Sequence, residues 1–444
     1  MINFFLKKEF KKKLLVSYLT INLLYLLIGS YIYFTEKIIA GFHYKEFSIG
    51  LKYLFIANIV VFIAIIIKKW RNKDLRKPIY IGIMLCTIFA IISTIFAYDI
   101  NIALEGCWER YEGLFSVLYY LSIMLLSTFV AEKYKKFIVN IILVCGAIQA
   151  IYAICQCFSL FNVKQIFHYR PQWDERIQGN VPVGEIWALG FTNNPNFFGT
   201  YMLLVLSYSL GLLVDSKKNY QNIIYSSLIA LFMFALLISN SSASAVGLLF
   251  VIIYIFIYCL KIKSYNKFIV ILSIMLAITC LTVKLGKTTL AKDMLQIGNE
   301  ATEIAKGNFN ENYGTERMYI WKETIKIVPN YLLHGVGIDN FHKAFNGGAL
   351  ILKRPTREIL YDKAHNEYLQ ILVTQGIFAL ASYLFVYGYV VYKGTKNAFK
   401  NNEIYLILPI IGYLVQAFFS ISVIEVAPIF YMLLGLCCGE EKDI

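Results

Sequence analysis

Residues 243–260 read ASAVGLLFVIIYIFIYCL, a stretch without a charged side chain. A helix rises about 1.5 Å per residue, so roughly 20 such residues cross the ~30 Å hydrocarbon core of a bilayer. The whole chain has a similar character, with 58% hydrophobic and only 16% charged residues. Soluble globular proteins carry about 25% charged residues. The composition therefore excludes a soluble globular protein and predicts an integral membrane protein.

Similar apolar runs lie on both sides of this stretch. Because lipid offers the backbone no hydrogen-bond partners, we expect these runs to cross the membrane as α-helices. About twelve spans are predicted, near 14 to 34, 49 to 67, 79 to 97, 114 to 131, 137 to 158, 196 to 215, 221 to 239, 243 to 260, 267 to 285, 366 to 392, 403 to 423 and 427 to 438. Eleven or thirteen spans also fit, since the last run is short and the boundary near Asn240 is narrow. The predicted fold class is an all-α integral membrane protein.

Basic residues alternate between successive short loops. Lysines precede the first span, and every second short loop after it is rich in Lys or Arg. Short cytoplasmic loops retain positive charge, so both termini are predicted to be cytoplasmic, with 98–113, 159–195 and 286–365 on the outer face. The formal charge of +14 then lies mostly beside anionic lipid headgroups. Membrane lipids are therefore expected partners, and nucleic acid is not.

A long polar segment interrupts the apolar pattern late in the chain. We predict transmembrane helices 1–9 over 1–285, with outer loops at 98–113 and 159–195, a large extracytoplasmic loop over 286–365, and transmembrane helices 10–12 over 366–444. Residues 316–328 have helical spacing, with Thr315 as a candidate cap and a stop at Pro329, so the large loop is expected to contain short helices. A channel or carrier rarely needs such a loop, whereas an enzyme acting on a lipid-anchored substrate needs ordered polar groups at the membrane surface.

The cysteines do not indicate a disulfide or metal framework. Of the nine cysteines, only Cys107 lies in a predicted outer loop, and the others fall inside predicted spans. No CxxC pair lies near a His, so the sequence has no zinc signature. We therefore expect no metal and no cofactor.

The outer loops 98–113 and 159–195, together with the first residue of the sixth predicted span, carry three candidate residues. Arg110 is the only Arg or Lys in 98–113, although short outer loops normally lose such charge. Arg176 lies in the second loop, ahead of a turn that leads through Asn196 into the sixth predicted span. The N-terminus of an outward-facing helix favours anions, so basic residues near it suit a phosphate-bearing headgroup.

The large loop and its end carry the remaining candidates. Arg317 and Trp321 are four residues apart and share one face of the predicted helix. His365 lies where the loop meets the tenth predicted span, beside Asn366 and Glu367. Taken singly, a surface Arg is usually just solvated, and a His at a helix start is usually a cap. Ionisable groups at membrane depth are costly, however, which makes His365 a candidate for function.

Taken in order, these motifs resemble the O-antigen ligase and polymerase superfamily, bacterial membrane glycosyltransferases of the C-type fold. The resemblance rests on the segment 108–113, the Asn-Pro-Asn turn within 191–200, Arg317 with Trp321, the turn at Gly335 and Gly337, and the run 365–369. One position departs from the family pattern. The family often has Ser-Arg-small-Ala where this chain has 241–244, so the Arg is missing at Ser242.

The resemblance implies a multi-pass protein of the bacterial cytoplasmic membrane that moves an oligosaccharide or polysaccharide from undecaprenyl diphosphate to an acceptor hydroxyl on the outer face. The acceptor would be a glycan, a lipid, a protein or a wall polymer, and the choice between ligase and polymerase stays open. Three arginines would bind the departing diphosphate through their fixed fork of donors, namely Arg317, Arg110 and Arg176.

His365 would act as the general base on the acceptor hydroxyl, since imidazole has a reference pKa near 6.5. Asn366, Glu367, Trp321 and Asn196 would support the site. The first outer loop lacks the Asp-x-Asp pair of metal-dependent C-type enzymes, so metal-independent, inverting transfer is expected.

Two other classes remain open. A lipid-linked glycan flippase or another polytopic transporter would need arginines for diphosphate, but it would not need His365 as a base. A non-catalytic membrane assembly protein would tolerate changes at both Arg317 and His365.

Overall fold

The computed structural model of the 444-residue chain describes residues 2–40, 44–69, 77–107, 110–162, 188–192, 194–345, 352–354, 357–359, 361–401 and 403–439. Helices account for most of these residues. They are α1 (Ile2–Ala40), α2 (Tyr44–Lys69), α3 (Pro78–Ile95), α4 (Ile100–Glu105), α5 (Leu114–Ser127), α6 (Glu132–Phe158), α7 (Pro195–Asp215), α8 (Asn219–Ile238), α9 (Ser242–Ile262), α10 (Tyr265–Lys284), α11 (Leu290–Ala305), α12 (Arg317–Ile327), α13 (Phe341–Phe345), α14 (Glu367–Gln375), α15 (Ile377–Asn401), α16 (Leu408–Gln416) and α17 (Ala427–Cys438). Short 3₁₀ turns lie at Leu160–Asn162, Val328–Tyr331 and Ile404–Leu406.

The prediction of a helical, polytopic membrane protein is confirmed in its coarse form. Within the described residues, nine helices are long and apolar enough to cross a membrane. Shorter apolar helices occur at Leu114–Ser127, Ile404–Gln416 and Ala427–Cys438, where three further spans are predicted. One departure from an all-α chain is a small antiparallel hairpin of β1 (Leu352–Arg354) and β2 (Arg357–Ile359). The number of spans, twelve, stays a prediction.

One predicted span is wrong as a continuous helix. Residues 366–392 divide into α14 and α15 at Gly376, whose φ of +88° favours glycine. A Cβ atom at Gly376 would lie 2.4 Å from the carbonyl oxygen of Leu333, so the backbone at Leu333 packs directly against the break between α14 and α15. A hydropathy plot cannot detect this break, because apolar residues continue on both sides of it.

The chain forms two compact units. The first comprises Met1–His43, Lys133–Met294 and Thr395–Gln416. Its central helix is α7, which is buried along its apolar stretch and packs against α8, α9, α16 and the Ile404–Leu406 turn. Polar pairing occurs inside this packing, since the Gln416 side chain donates to Thr200 Oγ1 at 2.9 Å.

The second unit comprises Tyr44–Glu132, Leu295–Gly394 and Ala417–Ile444. Its helix α5 packs against α2, α3 and α17, while α12 packs against α13 and α14. A buried apolar cluster joins the short elements of the polar segment to α14 and includes Ile320, Phe341, Ala364 and Val373. This cluster gives the segment a core of its own, so polar side chains around it are held on packed backbone.

Candidate functional site

The peptide before His365 is clamped on both sides. The Ala364 N–H donates to the Gln370 side-chain oxygen at 2.8 Å, and the Ala364 carbonyl accepts from Trp321 Nε1 at 3.1 Å. Ala364 itself is fully buried. Because α14 supplies Gln370 and α12 supplies Trp321, two packed helices fix the position of the Ala364 backbone, to which His365 is joined.

His365 has a backbone conformation that few residues adopt. Its φ is +51°, in the left-handed region, where non-glycine residues pay about 1–2 kcal/mol. Such residues persist only where their surroundings hold them, and they cluster at functional sites. The two hydrogen bonds to Ala364 provide that constraint. They hold the His365 backbone in its left-handed conformation despite the intrinsic cost.

The two residues after His365 begin α14. The Asn366 side chain accepts the Leu369 N–H at 3.0 Å and so caps the helix, while the Glu367 N–H donates to the Ala417 carbonyl at 2.9 Å. Asn366 is thereby committed to a capping bond, and Glu367 is buried. These bonds hold the start of α14, and support of His365 by either side chain stays a prediction.

Arg110 pairs with a carboxylate that the sequence analysis did not single out. Its Nε donates to Asp362 Oδ2 at 2.5 Å, and both side chains are about one-fifth exposed, at 19% and 22%. Burial alone would raise the pKa of Asp362, but Arg110, with smaller contributions from His365 and Lys363, lowers it to about 2. Arg110 is thus bound to Asp362, which lies three residues before the predicted base His365.

Arg317 begins α12 in a different electrostatic setting. Its Nη1 donates to the Gly314 carbonyl at 3.0 Å and to Thr315 Oγ1 at 2.8 Å. Its Nε is buried and has no hydrogen-bond partner within the described residues. Burial lowers the pKa of Arg317, although a guanidinium remains charged at neutral pH. A cation with one buried, unused donor is what an anionic ligand would complement.

The start of α12 differs from the sequence prediction. Thr315 and Glu316 both have left-handed φ, at +56° and +66°. The Thr315 hydroxyl donates to the Gly314 carbonyl instead of accepting a helix N–H, so the predicted Thr315 cap is wrong. Glu316 accepts from the Tyr361 hydroxyl at 2.9 Å, which adds a second link between the start of α12 and the segment before His365.

The other predicted site residues lie elsewhere. Asn196 is in the first turn of α7 in the first unit, where its N–H donates to the Asn194 side chain at 2.8 Å, as expected for an Asx-capped helix start. Ser241 caps α9 by accepting the Ser244 N–H at 3.4 Å, next to the position where the family Arg is missing. Arg176 and Trp108 lie outside the described residues. His365, Arg317 and Arg110 lie in the second unit, where Arg110 bonds Asp362 and the helix that begins with Arg317 bonds Ala364 through Trp321. The roles of all the predicted site residues stay predictions.

Several residues of this cluster escaped the sequence analysis, namely Asp362, Lys363, Gln370, Glu112 and Asp339. The available signal was weak: Asp362 and Lys363 stand immediately before the segment 364–369 that contains His365. Their partners are far away in the chain, so no local pattern reveals them. Among the described residues, no group of three or more His, Cys, Asp and Glu side chains is arranged to hold a metal ion.

Comparison with known families bears directly on this region. Residues 227–384 match the family model described as O-Antigen ligase. This confirms the resemblance to the O-antigen ligase and polymerase superfamily. The matched residues run from α8 into α15 and include Arg317, Trp321 and His365, whereas Arg110 lies before them. Comparison with curated proteins gives no match.

The O-antigen ligase match indicates a membrane enzyme of surface-polysaccharide assembly, with transferase activity of the ligase or polymerase type. The family implies a lipid-linked glycan donor and a glycan acceptor. The matched part holds the predicted base and one predicted diphosphate ligand, so the transfer chemistry can be examined on these two residues first.

Proposed function

We propose that this protein transfers a glycan from a polyprenyl diphosphate carrier to an acceptor hydroxyl on the outer face of the bacterial cytoplasmic membrane. The observation that carries the proposal is the Trp321 Nε1 to Ala364 carbonyl bond of 3.1 Å. It ties the helix that begins with Arg317 to the peptide preceding His365. A partly buried cation and a candidate base are thereby held on one packed core, as a sugar-diphosphate transferase requires.

The chemistry assigns one role to each group. The acceptor oxygen attacks the anomeric carbon, the bond from that carbon to the diphosphate oxygen breaks, and the electron pair leaves with the diphosphate. His365 accepts the acceptor proton, a role worth about 10²- to 10⁴-fold in rate. Attack opposite the leaving group inverts the anomeric centre. No step in this scheme needs a metal ion.

Arginine stabilises the charge that develops on the diphosphate. Arg317 offers a buried Nε that is unpaired within the described residues, and charge-assisted bonds to phosphate are roughly twice as strong as neutral ones. Arg110 donates its Nε to Asp362, so this donor is not available to a ligand. We therefore assign Arg317 the larger share of diphosphate binding, with Arg110 beside it and Arg176 as a further candidate.

The test uses purified protein in detergent with a polyprenyl-diphosphate-linked repeat unit as the sole substrate, and the products are separated on a gel. A polymerase makes a ladder, whereas a ligase transfers the glycan only when lipid, protein or wall-polymer acceptors are added. We expect His365→Ala to lose product by at least about 10²-fold. Arg317→Gln should raise the donor KM and lower kcat.

His334→Phe is the matched control, because His334 stacks on Phe96 at 4.9 Å and Phe can keep that contact. It should retain product formation. If the wild-type protein transfers no glycan to any acceptor but moves the lipid-linked glycan across vesicle membranes, the transferase proposal is wrong and the transporter alternative replaces it.

A further inference from the structure

A buried lysine lies two residues before His365 and bridges two buried carboxylates. The Lys363 ammonium lies 3.1 Å from Glu112 Oε2 and 2.6 Å from Asp339 Oδ1. All three residues are less than 9% exposed. Burial alone would lower the pKa of Lys363, but Asp339 and Glu112 raise it well above its ordinary range, so the ammonium stays charged.

The two carboxylates hold the loop that carries Arg110. Asp339 Oδ2 accepts the Cys107 N–H at 2.6 Å and the Glu112 N–H at 3.4 Å, which are at the two ends of that loop. Glu112 also accepts from the Ser422 hydroxyl at 2.6 Å and from the Tyr120 hydroxyl at 3.3 Å.

Lys363 therefore connects three parts of the second unit: the 107–112 loop, the turn at Asp339 and the segment that continues into His365. Two residues in the connected parts have strained backbone, since Asp339 has φ +58° and Tyr111, in the 107–112 loop, has φ +50°. Left-handed residues of this kind keep their conformation only under external constraint. The lysine bridge supplies that constraint from the middle of the cluster.

A buried ion network is a poor means of stabilising a fold, because desolvation offsets most of the attraction and apolar replacements are often as stable. What a satisfied network does provide is a single geometry, since every member must keep its partners. We propose that Lys363 is a positioning residue, which through Glu112 and Asp339 holds the Arg110 loop at a constant placement relative to His365.

The role in turnover rests on the proposed function, but the role in holding the loop does not. If Arg110 binds diphosphate and His365 accepts the acceptor proton, releasing the loop changes the spacing between these two groups. A misplacement of about 1 Å at reacting groups can cost about 10²-fold in rate. Stability and turnover should therefore respond differently to removing the network.

The experiment compares Lys363→Met with the charge-free triple variant Lys363→Met, Glu112→Gln, Asp339→Asn. The single variant leaves two buried carboxylates without their cation and should lower the unfolding temperature by about 5 °C or more. The triple variant removes all three charges and should regain most of that loss. Its kcat should nevertheless stay at least about tenfold below wild type, with a raised donor KM. Lys322→Met is the control, because Lys322 is an exposed lysine on α12 that pairs with Glu311.

A second readout does not depend on catalysis. Burial together with the charge of Asp339 raises the pKa of Cys107 to about 12, so maleimide should modify this thiol slowly at pH 8. Lys363→Met keeps the charge of Asp339 and removes a cation that lowers the pKa of Cys107, so faster modification in this variant can come only from release of the loop. Modification of Cys107 in Lys363→Met, followed by peptide mass spectrometry, should accelerate at least about tenfold.

The two readouts separate the possible results. Faster Cys107 modification together with reduced kcat supports the proposal. A folded triple variant with wild-type kcat, or an unchanged Cys107 rate in Lys363→Met, overturns it. If wild-type protein makes no product, the proposed function fails, and the Cys107 rate alone then decides whether Lys363 holds the loop.

Discussion

The Arg110–Asp362 pair makes a quantitative prediction about stability. Asp362→Asn keeps the shape of the side chain but removes its charge, so Arg110 becomes a largely buried cation without that counter-ion. Folding lowers the pKa of Asp362 from its ordinary 3.8 to about 2. At ~1.36 kcal/mol per pKa unit, the ionised Asp362 carboxylate in its folded surroundings contributes about 2 kcal/mol to the free energy of unfolding at pH 7, with Arg110 as its main favourable partner.

The pH dependence has a defined direction. Because the pKa of Asp362 is lower in the folded state, its contribution is present above about pH 4 and is lost as the pH falls through about 2. The stability difference between wild type and Asp362→Asn should therefore be constant from pH 7 to about pH 5. It should shrink between pH 4 and pH 2.

Denaturant titrations of the detergent-solubilised proteins, followed by tryptophan fluorescence, measure this difference. Glu311→Gln is the matched control: Glu311 pairs with Lys322 at 2.6 Å, but both side chains are more than 40% exposed, and surface pairs contribute little. Equal stabilities of wild type and Asp362→Asn at pH 7 would refute the reasoning. So would a difference that persists at pH 2.

Two further substitutions test the packing around His365. Trp321→Phe keeps an aromatic ring near Phe419 but loses the bond to the Ala364 carbonyl, so kcat should fall about 3- to 10-fold with little loss of folded protein; unchanged turnover would contradict the clamp. Gly335→Ala should cost about 2 kcal/mol or more in unfolding free energy, because φ is +75° and the new Cβ would lie 2.2 Å from the Thr374 carbonyl, whereas Gly388→Ala, a helical control in open space, should be neutral or stabilising. Equal effects of the two glycine changes in a thermal unfolding assay would argue against this close approach.

Local properties explain what could be predicted without a structure. Whether a run of side chains is apolar over about 20 residues is a property of that run, so residues 243–260 indicate a membrane helix by themselves. The same holds for the Asn-Pro-Asn start of α7. It also holds for the helix that begins at Arg317, where the helical spacing and the stop at Pro329 lie within a few residues of each other.

Prediction failed where packing overrides a local signal. The break at Gly376 depends on the approach of the Leu333 carbonyl, and the Thr315 hydroxyl turned away from its expected helix N–H. Both outcomes follow from neighbours that are distant in the chain or from a backbone already in a left-handed conformation. Neither can be inferred from residue type and spacing.

The sequence by itself determined that this is a polytopic membrane protein with a late polar segment, and its ordered motifs indicated the ligase and polymerase superfamily. Only the tertiary structure decided which charged groups meet. Lys363 pairs with Glu112 across 251 positions, and Arg110 pairs with Asp362 across 252. The reason is physical: hydropathy and capping act within a few residues, whereas a buried ion pair forms only where packing removes both partners from water and leaves each as the other's counter-charge.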